Sequence, residues 1–226
     1  MRIKHWCLAI GQFCADLIFP KKCLGCNRPD KWLCEACYWK IKALPQARLP
    51  QVSPNKLVNK LIAPLPYDDR LVRKLITAYK YHFVHDLRAD LGRLLAERLK
   101  PILRDSASKD YVIIPVPLHP KRLRFRGFNQ AELLGETLAE KLNLALRTDI
   151  LSRSRYTKPQ VNLKETMRKK NIHAAFRAEA CPGLKDKTVL LLDDVMTSGA
   201  TLEECAKAIR ASCKPKAIWG VAVAKG

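Results

Sequence analysis

Three spans of the chain are apolar at almost every position, and others are apolar at every third or fourth. TVLLL at 188–192 and AIWGVAVA at 217–224 have no polar face, as strands covered on both sides should not. YVIIPVPL at 111–118 has the same character. Leu87, Leu91, Leu94, Leu95 and Leu99 recur at helical spacing, within a helix expected over 84–104. Leu202, Cys205, Ala206, Ile209 and Cys213 do the same over 201–213, so both cysteines read as core residues. FNQAELLGETLAEKL at 128–142 predicts another helix, with Asn129 as N-cap and Glu132 three residues on. A helix near 68–80 and short strands at 61–67 and 175–177 complete the pattern. Strand and helix alternate throughout 61–226, which predicts an α/β domain with a mainly parallel sheet flanked by helices.

The first sixty residues follow another pattern. Trp6, Ile10, Phe13 and Leu17 make one helical stripe, so an amphipathic helix is expected within 1–19, with Cys7 and Cys14 as small apolar neighbours. Gln12 and Asp16 interrupt its apolar character, and no small-x-small cleavage site follows. No run approaches the roughly 18 apolar residues of a membrane span. The expectation is a cytoplasmic protein without stable membrane insertion. LPQARLPQVSPNK lies in a linker expected over 43–60. Residues 1–42 therefore form a separate small module.

Four of the nine cysteines sit in that module as Cys23-x2-Cys26 and Cys34-x2-Cys37, seven residues apart. Two such pairs can set four thiolates tetrahedrally around one ion, and zinc suits soft thiolates. Four cysteine ligands leave no open position, so the zinc is expected to be structural.

Charge adds a partner class. Lys and Arg number 42 against 21 Asp and Glu, a formal net charge of +21. That excess implies an anionic partner such as nucleic acid or a phosphorylated small molecule. It is clustered: Lys121, Arg122, Arg124 and Arg126 fall within six positions. Arg153, Arg155, Lys158, Lys164, Arg168, Lys169 and Lys170 share 151–170 with Glu165 as the lone acid. Phe125 and Phe128 interleave with the first cluster, and Tyr79 to Phe83 form a second mixed group. Aromatics on a cationic track are what single-stranded DNA binding uses, although the same rings serve equally well in packing. Arg122, Arg124, Phe125 and Arg126 are the candidate DNA contacts.

The densest chemistry is VLLLDDVMTSGAT at 189–201. A buried strand runs into Asp193 and Asp194, then into Thr197, Ser198, Gly199, Ala200 and Thr201, and then into a helix. Small residues let backbone N–H groups wrap a phosphate at a helix N-terminus. Carboxylates repel that phosphate, but they accept hydrogen bonds from vicinal hydroxyls. A ribose 5-phosphate carries both groups. The stretch resembles the phosphoribosyl pyrophosphate (PRPP) fingerprint of type I phosphoribosyltransferases.

Taken with PVPLHPKRLRFRGFNQAELL at 115–134, TKPQVNLKETMRKKNIHAAF at 157–176 and the four-cysteine knuckle, the chain resembles the ComF family of competence proteins along nearly its whole length. The resemblance implies a type I phosphoribosyltransferase-like fold and a cytoplasmic role in DNA uptake and natural transformation. The expected partners are PRPP, single-stranded DNA and other proteins of the uptake machinery. It also implies that Lys121 and Arg122 hold pyrophosphate, and that the 151–170 segment closes over PRPP. If pentosyl transfer occurs, Mg²⁺ would accompany PRPP, Asp193 and Asp194 would orient the ribose, and Arg168 would steady the leaving group. One departure is that an acid followed by two arginines is usual in the family, where this chain has Glu165-Thr-Met-Arg168-Lys-Lys. Two other functions fit the same residues: a nucleobase phosphoribosyltransferase of nucleotide salvage, and a nonenzymatic nucleotide-sensing adaptor.

Overall fold

In a computed structural model, residues 21–46, 57–81, 84–103, 110–157 and 172–226 are described. The helix expected within 1–19, much of the linker, His82, Phe83 and the 158–171 segment with Arg168 lie outside the described residues. The chain divides into two units, Met1–Ala43 and Leu44–Gly226.

In the first unit the backbone turns tightly around its cysteines. The Asn27 N–H donates to the Cys23 carbonyl and the Cys23 N–H to the Arg28 carbonyl, both at 2.8 Å. Asn27 and Asp30 take left-handed backbone at φ 64° and 74°, which short polar side chains tolerate best after glycine. Helix α1 (Glu35–Ala43) begins beside Cys34, with Glu35 in its first turn and Lys40 and Lys42 in its last. These charges match the helix dipole.

The second unit is built on a six-stranded sheet. In chain order its strands are β1 (Lys60–Ile62), β2 (Leu65–Pro66), β3 (Tyr111–Pro115), β4 (Ala145–Leu146), β7 (Thr188–Met196) and β8 (Ala217–Lys225). Their order across the sheet is β1-β8-β7-β3-β4, with β2 also on β8, and every pairing is parallel. Val189, Leu191 and Leu192 of β7 have no exposed surface, as its continuous apolar run predicts. A separate antiparallel pair joins β5 (Leu151–Arg153) to β6 (Phe176–Ala178).

The helices are α2 (Arg70–Tyr81), α3 (Leu87–Leu99), α4 (Pro120–Arg126), α5 (Gln130–Leu142) and α6 (Ala200–Cys213). Asn129 caps α5 as expected, accepting from the Ala131 N–H at 3.2 Å. Three details differ from the sequence reading. The strand expected at 61–67 is two short strands, because Pro64 between them has no N–H for the ladder. β3 stops at Pro115, not at 118. Its last bond runs from the Val116 N–H to the Leu192 carbonyl (2.8 Å), and Pro117 cannot donate another. The basic stretch after it, where the apolar pattern marks no element, is helical. Pro120 opens α4 behind a His119 cap, and Gly127 closes it at φ 79°.

Helices α3 and α5 meet where Gly92 lies against Thr137. A Cβ on Gly92 would stand 2.5 Å from Thr137 Cγ2 and 2.7 Å from its Cβ. Alanine there gains about 1 kcal/mol of helix propensity. Overpacking a stiff β-branched neighbour costs about 1–3 kcal/mol. Gly92→Ala should therefore be destabilising or at best neutral, although it removes a glycine from a helix. Urea unfolding of the two proteins measures the sign, and a clear gain in stability would contradict this packing.

Candidate functional site

The chain leaves β3 in one direction across the sheet, toward β4, and leaves β7 in the other, toward β8. Their carboxyl ends therefore diverge, and a crevice opens where open α/β sheets bind ligands. The ladders make it deeper. β3 pairs with β7 as far as Pro115–Leu192, whereas β8 stays paired to Met196–Lys225. Asp193 to Met196 thus lose their neighbour on one side. A cavity of about 680 Å³ fills the gap, lined by Val116 to Leu118 on one wall and 193–197 on the other.

Asp193 and Asp194 both line the cavity, and they sit on the strand itself, not in a loop beyond it. One oxygen of each is already engaged. Asp193 Oδ1 accepts from the Asp194 N–H at 2.8 Å. Asp194 Oδ1 accepts from the Val195 N–H at 2.6 Å and from Lys80 Nζ at 2.9 Å. Neither Oδ2 has a partner among the described residues. Burial, and then the charge of Asp194, push Asp193 up to about 7, against the pull of Lys80. Burial works against the Lys80 ammonium too, but Asp194 and Asp193 outweigh it and hold its pKa above the usual value.

Beyond the acids, Thr197, Gly199, Ala200 and Thr201 line the cavity and lead into α6. Gly199 sits at φ 77°, a conformation glycine adopts at no steric cost. Ser198 does not line the cavity; its hydroxyl lies 3.5 Å from the Ala200 N–H.

The opposite rim is cationic. Lys121, Arg122, Phe125 and Arg126 of α4 line it, and Arg124 does not. Phe125 is 83% exposed. Phe128 is buried against His85, with ring centroids 3.8 Å apart, so it is a packing residue and not a stacking platform. Tyr79 is likewise buried, its hydroxyl donating to the Gln130 carbonyl at 2.8 Å.

Sequence reading missed three contributors to this cavity. Lys80 meets its partner 114 residues away, so no local pattern announces it. Arg153 was visible only as one cation in a basic stretch. It is buried, stacked 5.1 Å from the Phe176 ring, and its Nε has no hydrogen-bond partner among the described residues. Burial, and then Arg122, lower its pKa. Tyr156 lines the cavity beneath Lys121 and Arg122, which lie 5.7 and 5.8 Å from its ring centre.

The first unit carries its own site. The sulfurs of Cys23, Cys26, Cys34 and Cys37 all lie within 4.8 Å of one another, a cluster that can hold a metal ion. Four sulfurs at zinc–thiolate distance would be about 3.8 Å apart, so the set fits a tetrahedral ion. Burial resists ionisation of Cys23, but backbone N–H groups of Cys34, Cys26 and Gly25 outweigh it and bring the thiol down to about 6. Burial, then hydrogen bonds to the other three sulfurs, push Cys37 up to about 12.

Known proteins share this arrangement of sequence. The phosphoribosyl transferase domain family matches residues 129–226. The DNA utilization protein YhgH of Salmonella typhimurium is 29% identical over 209 residues, 84% of this chain and 91% of that one. Its namesake in Shigella flexneri is 31% identical over 188 residues, 82% and 81% of the two chains. Competence protein F of Haemophilus influenzae is 33% identical over 151 residues, 66% of each. The match runs through the acid pair, the turn into α6 and, in the longer alignments, most of the chain, and it places this protein in the ComF family of competence and DNA-utilization proteins.

Proposed function

We propose that the cavity binds PRPP and that the protein acts in DNA uptake, with single-stranded DNA on the cationic rim. One observation carries the PRPP reading. Two adjacent carboxylates, each with an oxygen to spare, stand at one end of a cavity whose other lining includes the small-residue turn into α6. The carboxylates would accept from the ribose 2- and 3-hydroxyls. The turn and the helix N-terminus would take the 5-phosphate. Lys121, Arg122 and Arg153, which also line the cavity, are the cations available to the remaining charge of the ligand, the diphosphate on C1.

Mg²⁺ bound to the diphosphate would neutralise the leaving group. The chain's own part in any transfer is to fix the ribose and hold cations at the diphosphate as the C1–O bond breaks. A nucleobase phosphoribosyltransferase is the second reading. It is favoured by Tyr67, Ile76 and Tyr81, which give the cavity an aromatic and aliphatic wall suited to a flat base. Pyrophosphate release from PRPP across a nucleobase panel separates binding from transfer.

Three measurements test this reading. Asp193→Asn with Asp194→Asn keeps shape but weakens the ribose acceptors. It should cost about 1–3 kcal/mol of PRPP affinity by calorimetry with Mg²⁺, each charged hydrogen bond being of that order. Equal affinity would refute the assignment. Metal analysis should find close to one zinc per chain, lost in the Cys23→Ser, Cys26→Ser variant; stoichiometric iron would replace zinc with another metal centre.

For DNA, anisotropy of labelled single strands should show affinity falling steeply with salt. Replacing Arg122, Arg124 and Arg126 with Ala should flatten that slope. An unchanged slope moves the DNA path elsewhere.

A further inference from the structure

Lys80 comes from α2, well outside the 129–226 segment that matches the transferase domain, yet it forms an ion pair in the cavity. Its side chain is 25% exposed and that of Asp194 12%. An ammonium this sheltered needs a partner, and so do two adjacent carboxylates. The backbone that delivers it is anchored. The Tyr79 hydroxyl donates to the Gln130 carbonyl at 2.8 Å, and Gln130 Nε2 donates to the Lys80 carbonyl at 3.5 Å. The end of α2 is thus tied to the start of α5, beside the cavity wall.

We propose that Lys80 is the resident cation of the acid pair. It fixes Asp194 and supports the charge of Asp193, so that a ribose phosphate binds with no metal ion between the carboxylates and the sugar hydroxyls. This inference rests on reading 193–201 as a ribose-phosphate cradle. It makes Lys80 a positioning residue.

Lys80 is not an amine nucleophile toward an open-chain sugar. The two acids hold it as ammonium, which has no lone pair to give.

The groups facing Asp193 fix the expected pH behaviour. Asp194 is its neighbour on β7, Lys80 comes from α2, Arg153 from β5 and Cys205 from α6, while Tyr79, also from α2, faces Asp194. Tyr79 and Cys205 are both pushed up, by burial first and by an aspartate next, and stay neutral. Among the described residues, Lys80 and Arg153 are cations that lower the Asp193 pKa. A carboxylate held up at about 7 is lost to the ligand as the pH falls through that value. Removing the ammonium raises Asp193 further, so the acid limb of binding must move to higher pH.

The experiment is calorimetry with ribose 5-phosphate and 2-deoxyribose 5-phosphate in EDTA, across the neutral range. The proteins are the intact wild-type chain, Lys80→Met, Lys80→Gln and Lys80→Arg. Neither sugar carries a diphosphate, so no metal is needed to screen one. The phosphate's own ionisation near pH ~6 is common to all four proteins and cancels in the comparison.

The wild type should prefer ribose 5-phosphate and lose it below about pH 7. Both neutral variants should bind roughly fivefold or more weakly at pH 7, the effect of raising a pKa of about 7 by one unit or more. Their acid limbs should lie higher, while Lys80→Arg keeps the wild-type limb. Two neutral variants keep the test decisive if one fails to fold. Unchanged affinity and pH limb in a folded neutral variant overturn the role of Lys80 and leave the cradle standing. Failure of the wild type to bind either sugar phosphate overturns the cradle itself, and equal binding of both overturns recognition of the 2-hydroxyl by the acid pair.

Discussion

The site depends on where one ladder of hydrogen bonds ends. β3 and β7 pair up to Pro115 and Leu192, and Val116 adds one last bond before Pro117 ends donation. β7 runs on to Met196 with β8 alone at its side. Had β3 continued, the same acids would face a neighbouring strand and not a cavity. A proline that cannot donate thus opens the crevice, and the reversal of strand order on either side of it holds the crevice apart.

Charge then decides how the crevice can be used. Two neighbouring carboxylates in a half-buried place repel one another, and the chain meets this with backbone N–H groups, Lys80 and, at longer range, Arg153. The compensation is incomplete, since Asp193 still stands far above an ordinary aspartate. On the facing rim the imbalance has the opposite sign. The charge of Arg122 disfavours that of Arg153, Arg122 donates to the Thr157 carbonyl at 2.8 Å, and Arg153 bonds the Thr157 hydroxyl. A cavity with a surplus of negative charge on one wall and of positive charge on the other suits a ligand that is itself a sugar at one end and phosphates at the other.

Much of this was legible in the sequence, for identifiable reasons. β7, α5 and α6 announce themselves because each has a strong period and a clear cap or terminus, and CxxC pairs bring four sulfurs together through local turns alone. Legibility failed where the deciding partner was distant or the element short. α4 has seven residues and buries none of them, so no apolar stripe marks it. Pro120 and Gly127 were its only punctuation. Phe125 and Phe128 look alike on paper, and only His85 packing on the second tells them apart. Lys80 looked like part of an aromatic–basic surface cluster, and nothing nearby in the chain indicated a carboxylate.

Asn129 is a small residue with a large reach. Its carbonyl oxygen accepts from the Ala131 N–H, and its amide donates to the Val116 carbonyl at 3.1 Å. One buried side chain therefore joins the first turn of α5 to the residue on which the β3 ladder ends. The inner wall of the cavity is thus tied to the helix behind it. The open boundary among the described residues is the other one, along α4 and Tyr156, where the lining residues Phe125 and Tyr156 are exposed to solvent. The doorway and the proposed DNA track are the same stretch of surface, so a strand lying on that track would stand in the ligand's path.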